Sequence, residues 1–195
     1  MRLPWLMVAG ALIVMAAWSS AVRAEDGPAL KAEELSGELK AQEPDTDLFA
    51  LISGKCNTLK VAGRDFACRT VAYVHSVHGR AYFTIALDDP KDQSHIISFS
   101  GMNGRRTTEL LYQLPVDRML LNSETRPKVD GLPVPAIEPS DGSCSQLGNF
   151  ALGQVASISC KASDKKGQSY ELQFESDGSP IAVRRVKPSA PTIRQ

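Results

Sequence analysis

Apolar and polar residues alternate strictly along Tyr170-Glu171-Leu172-Gln173-Phe174-Glu175. A period of two places Tyr170, Leu172 and Phe174 on one face of a β-strand. The turn residues Ser176-Asp177-Gly178-Ser179 follow, and Pro180-Ile181-Ala182-Val183-Arg184-Arg185-Val186 then favours a returning strand. The sequence therefore predicts a β-hairpin over residues 170–186.

Other short segments carry the same pattern. Tyr82-Phe83-Thr84-Ile85-Ala86-Leu87 alternates, with Phe83, Ile85 and Leu87 expected to face inward and Gly79 marking the preceding turn. Short strands are also expected at residues 68–74, 95–100 and 155–160. Many short strands separated by polar turns predict a mainly β domain, either a small antiparallel sandwich or a half-open barrel.

Three segments depart from this pattern. Residues 47–54 and residues 107–114 read as one or two short helices, the first ending at Gly54 and the second before Pro115, although the second equally suits a strand. Residues 125–142 are rich in proline and are expected to form an extended connector, because proline cannot donate to a β-ladder.

The N-terminus has the layout of a secretory signal peptide. Arg2 is followed by an uncharged apolar run and by the small residues of Ala21-Val22-Arg23-Ala24. We expect cleavage after Ala24, with Ala21 as the second choice and an uncleaved anchor as the alternative. Cleavage predicts a periplasmic or secreted protein of the bacterial envelope with no stable membrane span.

Residues 25–47 form an acidic leader with eight acidic and two basic side chains. Its apolar residues are too few to bury a core, so we expect a flexible spacer, with a partner-binding acidic helix as the alternative. A single folded domain is expected over residues 48–188, followed by a disordered tail over residues 189–195. The chain as a whole has 22 basic and 22 acidic residues, so it lacks the basic excess expected of a nucleic-acid-binding protein.

All four cysteines follow the signal peptide, and an even number in an exported chain predicts two disulfides. Four cysteines allow three pairings. We favour Cys56 with Cys68 and Cys144 with Cys160, because each pair is close in sequence across an expected hairpin. The chain has no Cys-x-x-Cys motif, so a redox pair or a zinc knuckle is not predicted.

Histidine and aspartate offer one enzymatic alternative. A small hydrolase with a non-standard site near His75, His78 and Asp88 is conceivable, although the chain has no Gly-x-Ser-x-Gly elbow. Residues three apart on a strand face opposite ways, so His75 and His78 are not expected to chelate a metal together. The loop that starts at Asp88 lacks the glycine and glutamate of an EF-hand. The sequence predicts no metal site and no cofactor.

Two arginine pairs offer a third hypothesis. Arg105 with Arg106 and Arg184 with Arg185 could bind anionic glycans or lipid headgroups, because guanidinium groups recognise such anions. Solvated strand edges that discourage aggregation are the structural alternative.

The leading hypothesis is an exported binding or interaction module whose partner is an unknown envelope protein or an anionic glycan or lipid. It is favoured over an enzyme because no catalytic motif is present.

Overall fold

The structure is a computed structural model, and it describes residues 47–187. The predicted signal peptide, the leader up to residue 46 and the predicted tail lie outside the described residues. Residues 47–187 contain thirteen strands and one turn of 3-10 helix: β1 (Asp47–Val61), β2 (Arg64–Asp65), β3 (Thr70–His75), β4 (Ala81–Ala86), β5 (Ile96–Gly101), β6 (Arg105–Arg106), β7 (Leu111–Asn122), β8 (Lys128–Val129), β9 (Leu132–Pro133), β10 (Ala136–Asn149), the 3-10 turn (Phe150–Leu152), β11 (Gln154–Asp164), β12 (Ser169–Ser176) and β13 (Ala182–Val186).

Eight of these strands form a closed antiparallel barrel. They pair in the order β1, β3, β4, β5, β7, β10, β11 and β12, and β12 pairs again with β1. The mainly β prediction is confirmed. The predicted sandwich or half-open barrel is replaced by a closed one, because β7 pairs with β10 and leaves no open seam between them.

The barrel interior is the hydrophobic core. Residues opposite one another on neighbouring strands share a face, and the inward positions are almost all apolar. Phe83, Ile85 and Leu87 face inward as predicted, and so do Tyr170, Leu172 and Phe174, each at most 6% exposed. Large side chains such as Phe83 and Phe174 fill the interior, as in other small barrels.

Neither predicted helix forms. Residues 47–54 belong to β1, in which Ala50 and Ile52 point into the core. Residues 107–110 form bends, and β7 begins at Leu111. A short apolar run does not distinguish a helix from a buried strand, and pairing with neighbouring strands decides the outcome here.

The predicted hairpin over residues 170–186 is also wrong in its pairing. Both predicted strands exist, but β12 and β13 do not pair with each other, and both pair with β1. Ser176 lies opposite Gly54, and Ala182 lies opposite Leu51, so the chain continues in the same direction after the turn. The turn residues therefore form an outward bulge between two collinear strands.

Within the predicted connector, residues 125–142, the structure shows two elements. A tight hairpin pairs β8 with β9 through Asp130 and Gly131, both with positive φ. The first half of β10 follows, and its pairing with β7 breaks register between Pro139 and Gly142.

The barrel has two ends, which differ in their loops. The hairpin end carries the β8–β9 hairpin and the β4–β5 loop, residues 87–95. The Asp47 end carries the start of β1, the end of β13 and the β3–β4 turn, residues 76–80.

Candidate functional site

The structure joins Cys56 to Cys68 and Cys144 to Cys160, the pairing that the sequence favours. The first pair fastens the segment before β3 to β1. The second pair lies inside the barrel, at directly opposed positions of β10 and β11, and both residues are at most 1% exposed. Both disulfides therefore brace the wall, and they are typical of an oxidising, extracellular-type environment.

The histidines and the aspartate of the hydrolase hypothesis do not meet. His75 ends β3 opposite the first residue of β4, and His78 lies in the next turn, at the Asp47 end. Asp88 follows β4 at the hairpin end, and a six-residue strand separates the two positions by about 20 Å. These residues therefore share no site.

A different histidine has a carboxylate partner. Nδ1 of His95 donates a hydrogen bond to Oδ2 of Asp89 at 3.0 Å, and both side chains are largely buried. The ring of Phe66 packs edge-on against His95 at 5.1 Å, and the guanidinium of Arg64 lies 4.7 Å above Phe66. The His95 bond and the backbone N–H of Lys91 lower the pKa of Asp89. Together, these side chains connect β2 and the residue after it to the β4–β5 loop.

The acidic loop after β4 has no geometry for a cation. Oδ1 of Asp92 accepts the backbone N–H groups of Ser94 and Glu124, at 2.9 and 3.0 Å. Asp89 is occupied by His95 and Lys91. No group of three or more His, Cys, Asp or Glu side chains in residues 47–187 could hold a metal ion. These carboxylates act as local braces.

The two arginine pairs lie on opposite sides of the barrel. Arg105 and Arg106 form β6, which pairs with β7, whereas Arg184 and Arg185 lie in β13, which pairs with β1. β1 and β7 are four strands apart in either direction around the barrel. The pairs therefore cannot act on one anion together. Nη1 of Arg106 donates to the carbonyl of Gly148 at 3.1 Å and has a structural role.

Polar groups lie inside the barrel near the Asp47 end. The hydroxyl of Tyr73 donates to that of Tyr112 at 3.2 Å, and Phe150 stacks on Tyr73. Burial raises the pKa of both tyrosines, so both remain neutral. The amide of Gln146 is fully buried: Nε2 donates to the carbonyl of Gly148, whereas Oε1 has no partner among the described residues.

The outer surface has two contrasting sides. The polar wall is the outward face of β10, β11 and β12, which carries mostly serine, glutamate and lysine, including Ser143, Ser159, Lys161 and Glu171. The apolar wall is the outward face from the first half of β1 through β3, β4, β5 and β7 to the start of β10. Its row of directly opposed residues consists of Leu51, Ala72, Thr84, Ser98, Leu120 and Ile137. Thr84 and Ser98 interrupt the apolar residues of this row, and their hydroxyl groups hydrogen-bond to each other at 2.8 Å.

The β8–β9 hairpin is the most exposed apolar feature of the described residues. Val129 and Leu132 are paired, and their side chains are 62% and 73% exposed. The backbone N–H of Val134 donates to the carbonyl of Pro127, so the ladder extends by one more pair and Val134 shares the face of Leu132. Lys128 lies on the opposite face. The hairpin is therefore amphipathic and presents its apolar face to solvent.

Sequence reasoning missed both the hairpin and the His95–Asp89 pair. The signal for the hairpin was present in Val129-Asp130-Gly131-Leu132, an Asp-Gly turn between apolar residues. The proline-rich surroundings concealed it. No local signal connects Asp89 to His95, because the loop between them is irregular.

Comparison with protein-family models, with curated proteins and with solved structures finds no match for this chain. Among residues 47–187, no helix is sufficiently long and apolar to cross a membrane. The functional conclusion therefore depends on the geometry of this chain.

Proposed function

We propose that this protein is an exported interaction module, periplasmic or secreted, that binds a protein partner through the apolar face of the β8–β9 hairpin. The hairpin carries the proposal: it exposes Val129, Leu132 and Val134 together on one face. Scattered exposed apolar residues are ordinary, whereas a contiguous set on a projecting element is typical of interaction sites.

The filled barrel supports a surface function. Eight-stranded barrels that carry a small ligand hold it inside, and here the interior positions are taken by side chains such as Phe83, Phe99 and Phe174. An extended contact on the outside of the barrel is consistent with this filled interior.

Continuity with the apolar wall supports a protein partner. Ile137, which is 58% exposed, is the second residue of β10 just after the hairpin and lies opposite Leu120. The hairpin and this part of the wall together offer apolar anchors of the kind that dominate interface energies. Export is supported by the two disulfides and by the signal-peptide layout of the sequence.

Site-specific photocrosslinking in cells that express the full chain tests the proposal. A benzophenone amino acid is placed at Leu132, at Ile137 or, as the control on the polar wall, at Lys161. We expect one discrete crosslinked product from the first two positions and none from Lys161. Val129→Ser should abolish the product formed from Ile137. Equal crosslinking from Lys161, or no product from Leu132, would contradict the proposal.

A further inference from the structure

Strand β13 offers an unpaired backbone edge. One of its edges pairs with β1, from Ala182 opposite Leu51 to Val186 opposite Asp47. Among residues 47–187, no strand pairs with the other edge, and all five residues of β13 are exposed. Alternate residues of β13 therefore direct their N–H and C=O groups away from the barrel.

The side chains of β13 define two faces. Val183 and Arg185 lie on one face, and Arg184 and Val186 lie on the other, because successive residues of a strand alternate. Neither guanidinium forms an ion pair or hydrogen bond within the described residues. Val183 and Val186 are 43% and 54% exposed. Each face thus offers one free cation and one apolar side chain.

We propose that β13 accepts an added strand from a protein partner, and that the partner's segment reads apolar–acidic–acidic–apolar. In strand addition, main-chain hydrogen bonds give affinity, and alternating side chains give specificity. Directly opposed residues share a face, so consecutive acidic residues lie beside Arg184 and Arg185, and the flanking apolar residues lie beside Val183 and Val186. The motif is symmetric and suits a strand of either direction.

An anionic glycan fits this surface less well. Arg184 and Arg185 are adjacent on an extended strand and project to opposite faces, so they do not converge on one sulfate or phosphate group. The free N–H and C=O groups also require a partner with its own ladder of donors and acceptors. This site is at the Asp47 end, so it is independent of the proposed hairpin surface.

A blocked peptide of sequence Thr-Val-Glu-Glu-Val-Thr is the probe, and its dissociation constant is measured by fluorescence anisotropy with the full chain. The double charge reversal Arg184→Glu with Arg185→Glu should weaken binding at least about tenfold, because two attractions become repulsions. The same variant should gain affinity for the Lys-Lys counterpart of the peptide. Lys55→Glu with Arg105→Glu is the control with the same net charge, and it should bind the Glu-Glu peptide like the original chain.

The backbone contribution is tested separately. Two peptides are made, each N-methylated on one of the two alternating sets of backbone amides. One of them should not bind, because its methyl groups replace the N–H groups that face β13. Hydrogen exchange of residues 183–186 should slow when the unmodified peptide is bound. Unchanged affinity after the charge reversal would overturn the proposal, as would equal binding of both N-methylated peptides. Binding of heparin but not of the Glu-Glu peptide would also overturn it, in favour of a polyanion site.

Discussion

Nδ1 of His95 donates to Oδ2 of Asp89 across the loop that joins β4 to β5, at a distance of 3.0 Å. Arg64 of β2 approaches the same carboxylate oxygen at 3.7 Å. One carboxylate therefore holds two segments of the hairpin end, and it stabilises the fold only while it is ionised.

Asp89→Asn should lower the free energy of unfolding at neutral pH, because the amide loses the charge that His95 and Arg64 face. The pKa of Asp89 is lowered in the folded protein, so its stabilisation is complete above about pH 4, the ordinary aspartate value, and is lost as the pH falls through the lowered pKa. Urea unfolding curves of the two proteins should therefore converge as the pH falls below about 4. The exposed neighbour gives the control, and Asp88→Asn should show little difference at either pH. A constant gap for Asp89→Asn at all pH values would refute this role.

The core disulfide should contribute strongly to stability. Cys144→Ala with Cys160→Ala opens a crosslink between residues 16 positions apart and should cost about 3 kcal/mol by loop entropy alone. The loss of two buried sulfurs adds to this cost. Chemical unfolding of the oxidised proteins measures the difference, with Cys56→Ala plus Cys68→Ala as the comparison. If removal of Cys144–Cys160 lowered the free energy of unfolding less than removal of Cys56–Cys68, burial of the core disulfide would not explain its contribution.

Gly142 permits the close approach of β10 and β11. A Cβ at this position would collide with the carbonyl oxygen of Lys161 and with Ala162. Gly142→Val should therefore destabilise the barrel by about 2 kcal/mol or more, because the strands cannot separate without breaking the ladder. The exposed neighbour provides the control, and Ser143→Ala should change the free energy of unfolding by less than about 0.5 kcal/mol. Equal effects at the two positions would show that the strands adjust freely.

Gln146→Met should preserve or raise stability, by up to about 1 kcal/mol, although it removes a hydrogen bond. The buried Oε1 has no partner among the described residues, so its desolvation is uncompensated. The carbonyl of Gly148 keeps Nη1 of Arg106 as a donor when Nε2 is lost. Thermal unfolding checks the prediction, and Gln146→Ala, which leaves a cavity, should be destabilising. A loss of more than about 1 kcal/mol in the Met variant would indicate that Oε1 is satisfied in solution.

Local periodicity predicted the strands and their inward faces correctly. Phe83, Ile85, Tyr170 and Phe174 were identified from alternation alone, because a half-buried strand needs apolar residues at every second position. The core that these residues form did not require knowledge of the pairing.

Pairing between distant strands was beyond the sequence. β12 and β13 looked like a hairpin because a turn separates two β-prone runs, yet both align along β1, more than 100 residues earlier in the chain. Barrel closure was concealed by Pro115, which suggested the end of a helix, and by Pro139, which suggested an extended connector. Pro139 sits where the β7–β10 register breaks, and there a missing N–H donor costs little.

For the candidate sites too, contacts between residues near in sequence were predictable, whereas positions that depend on distant strands were not. The cysteine pairing was favoured correctly because each pair is near in sequence. The sequence did not show that the two arginine pairs lie on opposite sides of the barrel, because this depends on where β6 and β13 lie around it. The same applies to His75 and Asp88, which β4 holds apart.

The pairing of Asp47 with Val186 has a mechanical consequence. A pulling force applied through these two positions would load one end of the β1–β13 ladder. Its hydrogen bonds would then break one after another from that end. Peeling of β13 would leave the eight-stranded wall closed, with both crosslinks untouched. Under such a pull we therefore expect β13 to detach first, while the barrel remains folded.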